Sequence, residues 1–302
     1  MNKSIFIVGP TCAGKNDFAY ELSKHFNFEI INADSMQVYK QLRILTNRPT
    51  DKELKIVPHH LYGHINNQEY SVNHWINDVK QTLQNIYSRN KVPVFVGGTG
   101  FYVQALIEGL SEMPNISQKY KKEAEDLFYK KGPDICLDLL SKYYSEKIFP
   151  KDKQRLINRL AFCLEHNDIM ENHFSKKTPV TSNPLVIQVV KPKRDLYELA
   201  ETRFHKMIEE GALDEVKKLH ESKKISKTLY KAHGLPELLA CIRNKMSLED
   251  AVYDGIHNTK RYIKRQFTWW NNQKFSNLNL RINYKKSFPK DSIENISIYL
   301  NK

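Results

Sequence analysis

The stretch Ile5 to Leu22, IFIVGPTCAGKNDFAYEL, restricts what this chain can fold into more than any other. Ile5 to Val8 is an apolar, largely β-branched run of strand length, and Gly9 stops it. Gly14 and Lys15 follow at the spacing G-x-x-x-x-G-K, and Phe18, Ala19 and Leu22 then recur at helical intervals. Strand, glycine turn and helix in that order are the setting of a phosphate-binding loop. Glycines let backbone N–H groups converge on an anion, and the helix N-terminus adds partial positive charge. Gly9, Pro10, Thr11, Cys12, Ala13, Gly14, Lys15 and Asn16 are therefore the candidate phosphate-binding residues, with Lys15 a point charge for the outer oxygens. Asn16 stands where a Ser or Thr hydroxyl would serve magnesium. Its amide oxygen is a hard donor, so Mg²⁺ is the expected cofactor and Asn16 its candidate ligand.

Further along, Phe28 to Ile31 reads as a second strand and runs into Ala33-Asp34-Ser35. A carboxylate at the C-terminal end of a strand beside the phosphate loop lies where α/β sheets place their ligands, although Asp34 would also suit a turn or helix cap. Pro58 to His64 holds three histidines, but Pro58 and Gly63 predict a loop and no Cys or carboxylate completes a metal set. Val72, Trp75, Ile76, Val79, Leu83 and Ile86 trace the buried face of a helix. Val92 to Val96 reads as a doubly buried strand ending in Gly97-Gly98-Thr99-Gly100, with a helix from Phe101 to Gly109. Three glycines around one hydroxyl suggest backbone close to a ligand, with Thr99 directed at it.

From Leu110 the character changes to charged helix with interleaved aromatics, and no strand signal returns until Leu185 to Val190. The expected organisation is a P-loop NTPase-like, three-layer α/β core with a parallel sheet over 1–110 and 185–302. A helical insertion fills 111–184, with Thr178 to Pro184 as its return linker, and long helices follow at Asp195 to Glu209, Ala212 to His220, Pro236 to Arg243 and Leu248 to about Trp270. The tail after Phe275 shows weak periodicity and is expected to be loosely held.

A net charge of +13 points to an anionic partner larger than a nucleotide, most plausibly nucleic acid, though a lysine-rich proteome would give the same excess. Two basic stretches fit a phosphate-backbone track: Lys217, Lys218, Lys223, Lys224, Lys227 and Lys231, and then Lys260, Arg261, Lys264 and Arg265. Cys12, Cys136, Cys163 and Cys241 are never at C-x-x-C spacing, which favours reduced thiols. No apolar run has membrane-spanning length and Met1-Asn2-Lys3 leaves no room for a signal peptide, so a cytoplasmic protein without membrane contact is expected.

With these segments in order, the chain resembles the tRNA dimethylallyltransferases of bacterial type. GPTCAGKN at Gly9 is similar to that family's GPTASGKS loop, and ADSMQVYK at Ala33 to its DSRQVYRG stretch. RPT at Arg48, PHHL at Pro58, GGTGFYVQALIEGL at Gly97, DKQRL at Asp152 and TKRYIKRQFTWW at Thr259 complete the order over nearly the full length. The resemblance implies transfer of a dimethylallyl group from its diphosphate to the exocyclic amine of the adenine 3′ of the anticodon in tRNA, releasing diphosphate. The partners it implies are dimethylallyl diphosphate, held by the loop in place of ATP, and the anticodon stem-loop of tRNA; a monomer is expected. It implies Lys15 stabilising the leaving diphosphate, Asp34 as general base and Thr99 bonding diphosphate or base. It also implies tRNA contacts at Asp34, Ser35, Met36, Gln37 and Thr99, at Lys121 on the insertion, and at Gln154, Arg155, Leu156, Ile157 and Asn158.

This chain departs from the family pattern at Asn16, at Cys12 and Ala13, and at Leu45 in place of a glycine. Asn158 and Leu199 stand where arginines align, with Arg159 and Arg194 nearby. The losses gather around one donor site. Two other readings stay open on sequence: a tRNA-binding homologue without catalysis, and a P-loop nucleotide kinase, which would need a magnesium hydroxyl at position 16.

Overall fold

The computed structural model describes residues 3–111, 115–144, 152–174, 176–222, 224–273, 275, 279–283 and 290–301. Its chain order is β1 (Ile5–Val8), α1 (Lys15–Ser23), β2 (Phe28–Asn32), β3 (His59–His60), α2 (Val72–Ser88), β4 (Val92–Gly97) and α3 (Gly100–Ile107). Then come α4 (Gln118–Lys131), α5 (Pro133–Ser141), α6 (Lys153–His166), β5 (Leu185–Val190), α7 (Lys193–Glu209), α8 (Ala212–Glu221), α9 (Leu235–Ile242), α10 (Leu248–Asn271), β6 (Asn279–Asn283) and α11 (Lys290–Asn301). Two compact units result: Met1–Glu108 with Pro179–Lys302, and Gly109–Thr178.

In the larger unit six parallel strands run in the order β3-β2-β4-β1-β5-β6. β1 lies between β4 and β5, with Ile5 opposite Val94 on one side and Leu185 on the other. All four of its residues are buried, the pattern of a strand covered on both faces. Phe6 stacks on Phe95 at 4.5 Å between ring centroids, and Trp75 of α2 donates its indole N–H to Asn32 O at 3.1 Å. A capping box starts α2, with Ser71 and His74 exchanging hydrogen bonds. This architecture is the expected parallel α/β core.

Two segments differ from the sequence reading. His59 and His60 form the edge strand β3 instead of a loop, because their backbone pairs with Ile30 and Ile31. The three histidine side chains go to separate partners: Val57 O, the Glu29 carboxylate, and Tyr70 with Asp78. The described part of the tail is not loosely held. β6 pairs with β5 along Val186–Val190, and α11 buries Ile296 and Tyr299. The Tyr299 hydroxyl donates to Ser4 O and Asn183 O and accepts from the Ser4 amide, and Lys3 Nζ reaches Leu300 O at 2.6 Å.

The smaller unit is helical. α4, α5 and α6 close around Ala124, Leu140, Leu156, Ile157, Leu160 and Phe162. Asp152 caps α6 by accepting from the Arg155 amide.

Candidate active site

Where β1 ends, the chain passes so close to β5 that a Cβ on Gly9 would stand 2.3 Å from Val189 O, and its φ of 145° suits glycine alone. The turn closes with Gly14 at φ 92° as N-cap of α1, so Lys15 and Asn16 open the helix. Lys15 Nζ donates to Pro10 O at 2.9 Å. Burial lowers its pKa to about 8; Asp34 and Cys12 pull it back up and Arg203 pushes it further down. The loop is anchored from α10: Gln266, 5% exposed, accepts from the Thr11 amide at 2.9 Å and donates to Gly98 O at 2.8 Å. One side chain thus ties the phosphate loop to the glycine turn after β4.

Asp34 follows β2 in a tightly bonded turn. Its amide donates to Asn32 Oδ1 at 2.8 Å, and its own Oδ1 accepts from the Met36 amide at 2.9 Å. The turn expected as an alternative to a catalytic role therefore exists, and Asp34 also lines the cavity. Thr99 Oγ1 accepts from the Ser35 amide at 3.0 Å and donates to Ser35 Oγ at 3.3 Å, so the β4 turn fixes the segment that carries Asp34. The Tyr262 phenol joins Thr99 and Gln266, and burial raises its pKa well above the usual value.

Two cavities of about 650 and 330 Å³ share Thr11, Asp34, Thr46, Arg203 and Met207. Lys15, Asn16 and Asp17 line the larger one, together with Arg43 and Arg48. The smaller has an apolar wall of Leu45, Ala200, Phe204 and Met207, while Lys231, His233 and Arg265 supply polar groups. His233 lies 4.3 Å from the Tyr262 ring, and burial followed by Arg265 and Arg203 lowers its pKa to about 4, leaving it neutral at pH 7. The stretch Arg43–Asn47 is held from two sides. Glu215 of α8 accepts from the amides of Arg43, Ile44 and Leu45 at 2.5, 3.0 and 3.0 Å, and Gln37 Nε2 donates to Thr46 O and Asn47 O.

The arginines next to the departures do not fill them. Arg194 pairs with Glu198 on the surface, and Arg159 pairs with Glu171 under the Tyr144 ring. Arg203, one helical turn after Leu199, enters both cavities. Arg203, Gln266 and Glu215 were absent from the sequence expectations. The available signal was Gln266, a polar residue on the stripe Thr259, Ile263, Trp270 that α10 buries. In the insertion, Leu156 and Ile157 belong to the core at 0% and 3% exposure, so their side chains cannot be the tRNA contacts expected there. Gln154 and Arg155 are exposed, and Asn158 and Lys121 are half-buried. Lys217, Lys218, Lys224, Lys227 and Lys231 are described, and Lys223 lies outside the described residues.

Magnesium takes oxygen donors and is usually held by one or two carboxylates plus substrate phosphates. Asn16, Asp17 and Asp34 line the cavity that holds Lys15, and no cluster of three His, Cys, Asp or Glu forms among the described residues. This donor set fits an ion carried in with a diphosphate and does not form an all-protein cage.

A family model described as IPP transferase matches residues 37–273. The chain belongs to the IPP transferase family. A second model, isopentenyl transferase, matches residues 2–62 and takes in the phosphate loop. Among the curated family relatives, the tRNA dimethylallyltransferase of Bartonella quintana is 41% identical over 88% of this chain and 92% of its own length. That of Pelagibacter ubique is 37% identical over 89% and 88%. The crystal structure of a full-length tRNA isopentenylpyrophosphate transferase from Bacillus halodurans matches with a TM-score of 0.70 at 29% identity, covering 100% of this chain and 96% of its own. A eukaryotic dimethylallyltransferase caught acting on tRNA matches with a TM-score of 0.70 at 27% identity, covering 89% of this chain and 70% of its own. The family assignment makes the chain a tRNA prenyltransferase with a P-loop NTPase-like fold.

Proposed function

We propose that this chain transfers the dimethylallyl group of dimethylallyl diphosphate to the exocyclic amine of the adenine 3′ of the anticodon in tRNA. The observation that carries the reading is the position of Asp34, whose carboxylate lines the same cavity as Lys15 and the phosphate loop. In the step, the amine nitrogen forms a bond to C1 of the allyl group while the C1–O bond breaks, and its electron pair leaves on the diphosphate. Asp34 takes the proton that the amine loses. Lys15, the loop amides and Arg203 stabilise charge on the departing oxygens. Thr99 and Ser35 hold the Asp34 turn in register, and Gln266 keeps the loop against it.

Asn16 would hold Mg²⁺ alongside the diphosphate, where the ion supplies further charge neutralisation. An adenine stacked in its loop cannot reach a cavity of this kind, so the base is extruded from the stack. Ser35 and Met36 line the smaller cavity, which shares Asp34 with the larger one. Lys121, Gln154, Arg155 and Asn158 are the insertion's polar candidates for holding the stem through its phosphates. Gln37 spends its amide hydrogens on Thr46 and Asn47, which makes it a brace of the cavity wall as well as a candidate tRNA contact. The names of the relatives favour transfer over the nucleotide kinase. Four unpaired cysteines support a cytoplasmic setting, and among the described residues no helix is long and apolar enough to cross a membrane.

The test is transfer of labelled dimethylallyl to an anticodon stem-loop with Mg²⁺. Label on the adenine amine is expected, with a faster rate for Asn16→Ser, which restores a hydroxyl at the loop. Tight, salt-sensitive stem-loop binding with no label would instead mark an RNA-binding protein without catalysis.

Glu215→Ala probes the cavity wall. It removes a carboxylate from three backbone amides, a kind of bond worth about 1.5–3 kcal/mol each when charged. The freed Leu45–Thr46 wall should raise KM for the donor roughly tenfold, with a smaller change in kcat. Equal KM values for variant and native enzyme in steady-state kinetics would show that Glu215 only stabilises the fold.

A further inference from the structure

Phe204 lines the smaller cavity and is 3% exposed. Behind its ring lie two bare backbone positions. A Cβ on Gly255 of α10 would stand 2.4 Å from Phe204 Cζ, and one on Gly234, just before α9, would stand 2.9 Å from Cε2 and 3.0 Å from Leu45 Cδ1. A Cβ at either place would come within 3.0 Å of the Phe204 ring, closer than side chains pack, so the ring would have to leave its present position. The ring is withdrawn from the cavity by the depth that two missing methyl groups allow. It can withdraw no further, since main chain stands behind it.

The donor must place its diphosphate against Lys15 and its C1 within reach of the amine that Asp34 deprotonates. Its hydrocarbon tail then runs away from the charged loop. The smaller cavity, which shares Asp34 with the larger one, offers such a tail an apolar surface of Met36, Leu45, Ala200, Phe204 and Met207. We propose that Phe204, recessed against Gly234 and Gly255, is the floor on which the prenyl chain ends, and that it sets the donor length at one isoprene unit. The assignment rests on the prenyl-transfer reading above. A donor with a second isoprene unit adds five carbons that would have to occupy the space of the ring, and the glycine backbones leave the ring nowhere to go.

The experiment compares kcat/KM for dimethylallyl and geranyl diphosphate, with the same stem-loop acceptor, in the native enzyme and three variants. Phe204→Ala should raise the geranyl-to-dimethylallyl ratio by at least roughly tenfold, since even one methylene in an apolar pocket discriminates by about 10–200-fold. Phe204→Leu should raise it less, and it carries the test if the alanine variant fails to fold by its melting temperature. Gly255→Ala pushes the ring inward, so KM for dimethylallyl diphosphate should rise while geranyl diphosphate stays excluded. A folded Phe204 variant that keeps the native ratio, or a Gly255→Ala enzyme with native KM, would overturn the floor. A native enzyme that transfers no dimethylallyl at all would overturn the functional reading instead.

Discussion

Asp34→Asn is expected to slow prenyl transfer by roughly 10²–10⁴-fold, the range associated with losing a positioned general base. The substitution suits this site because the turn needs only an acceptor at Oδ1 for the Met36 amide, and asparagine keeps one. The two hydrogen bonds between Thr99 and Ser35 do not involve the carboxylate, so the segment should hold its shape. The loss should therefore appear in the single-turnover rate, with donor binding and melting temperature near native. A rate within tenfold of native would remove Asp34 from proton transfer and leave it a turn residue.

Lys15→Met should cost roughly 10²–10³-fold in kcat, the effect of deleting one preorganised donor to developing charge. The native side chain also predicts a pH profile. Its ammonium is the competent form, and in the free enzyme burial brings the pKa down to about 8. As pH rises through that value the charge is lost, so kcat/KM for the donor should fall above pH 8. A bound diphosphate favours the ammonium, so binding above pH 8 should draw a proton from solution. Calorimetry in two buffers of different ionisation enthalpy would read that proton. For stability the sign is opposite to that of a salt-bridged lysine: a lowered pKa penalises the folded state below about pH 8, and the penalty fades as pH climbs towards the ordinary 10.5. A flat kcat/KM from pH 7 to 9 would mean that Lys15 keeps its charge throughout.

The parts of this molecule that could be read from sequence are those whose signal is local. β1, β2, β4 and β5 announce themselves as apolar runs because both faces are buried, and the two glycine turns mark where backbone must approach a ligand. β3 is two residues long and too short for any periodicity, and β6 carries only Leu280 and Ile282 as apolar residues at the sheet edge. Of the site, the loop, Asp34 and Thr99 were legible because each adjoins a strand end. Arg203, Glu215 and Gln266 were not, since α7, α8 and α10 bring them from far along the chain. Glu215 reads as an ordinary acid in a helix's first turn, and Arg203 as one more charge on a helix of mixed sign. Leu156 and Ile157 mislead in the opposite direction: a motif spans five consecutive residues, but a helix turns two of them into its core.

The strand order β3-β2-β4-β1-β5-β6 carries a consequence for how this protein is made on the ribosome. β1 lies in the middle of the sheet and finds its two neighbours only once β4 and β5 have been synthesised, while β6 and the helix that closes over Ser4 follow later still. Parallel pairing across such separations is slow to nucleate, because loop closure must precede any reward from contacts. Until β6 arrives, a nascent chain holds an unpaired β5 edge, the kind of surface that aggregates or engages chaperones. The phosphate loop is translated well before Gln266, the α10 side chain that anchors it.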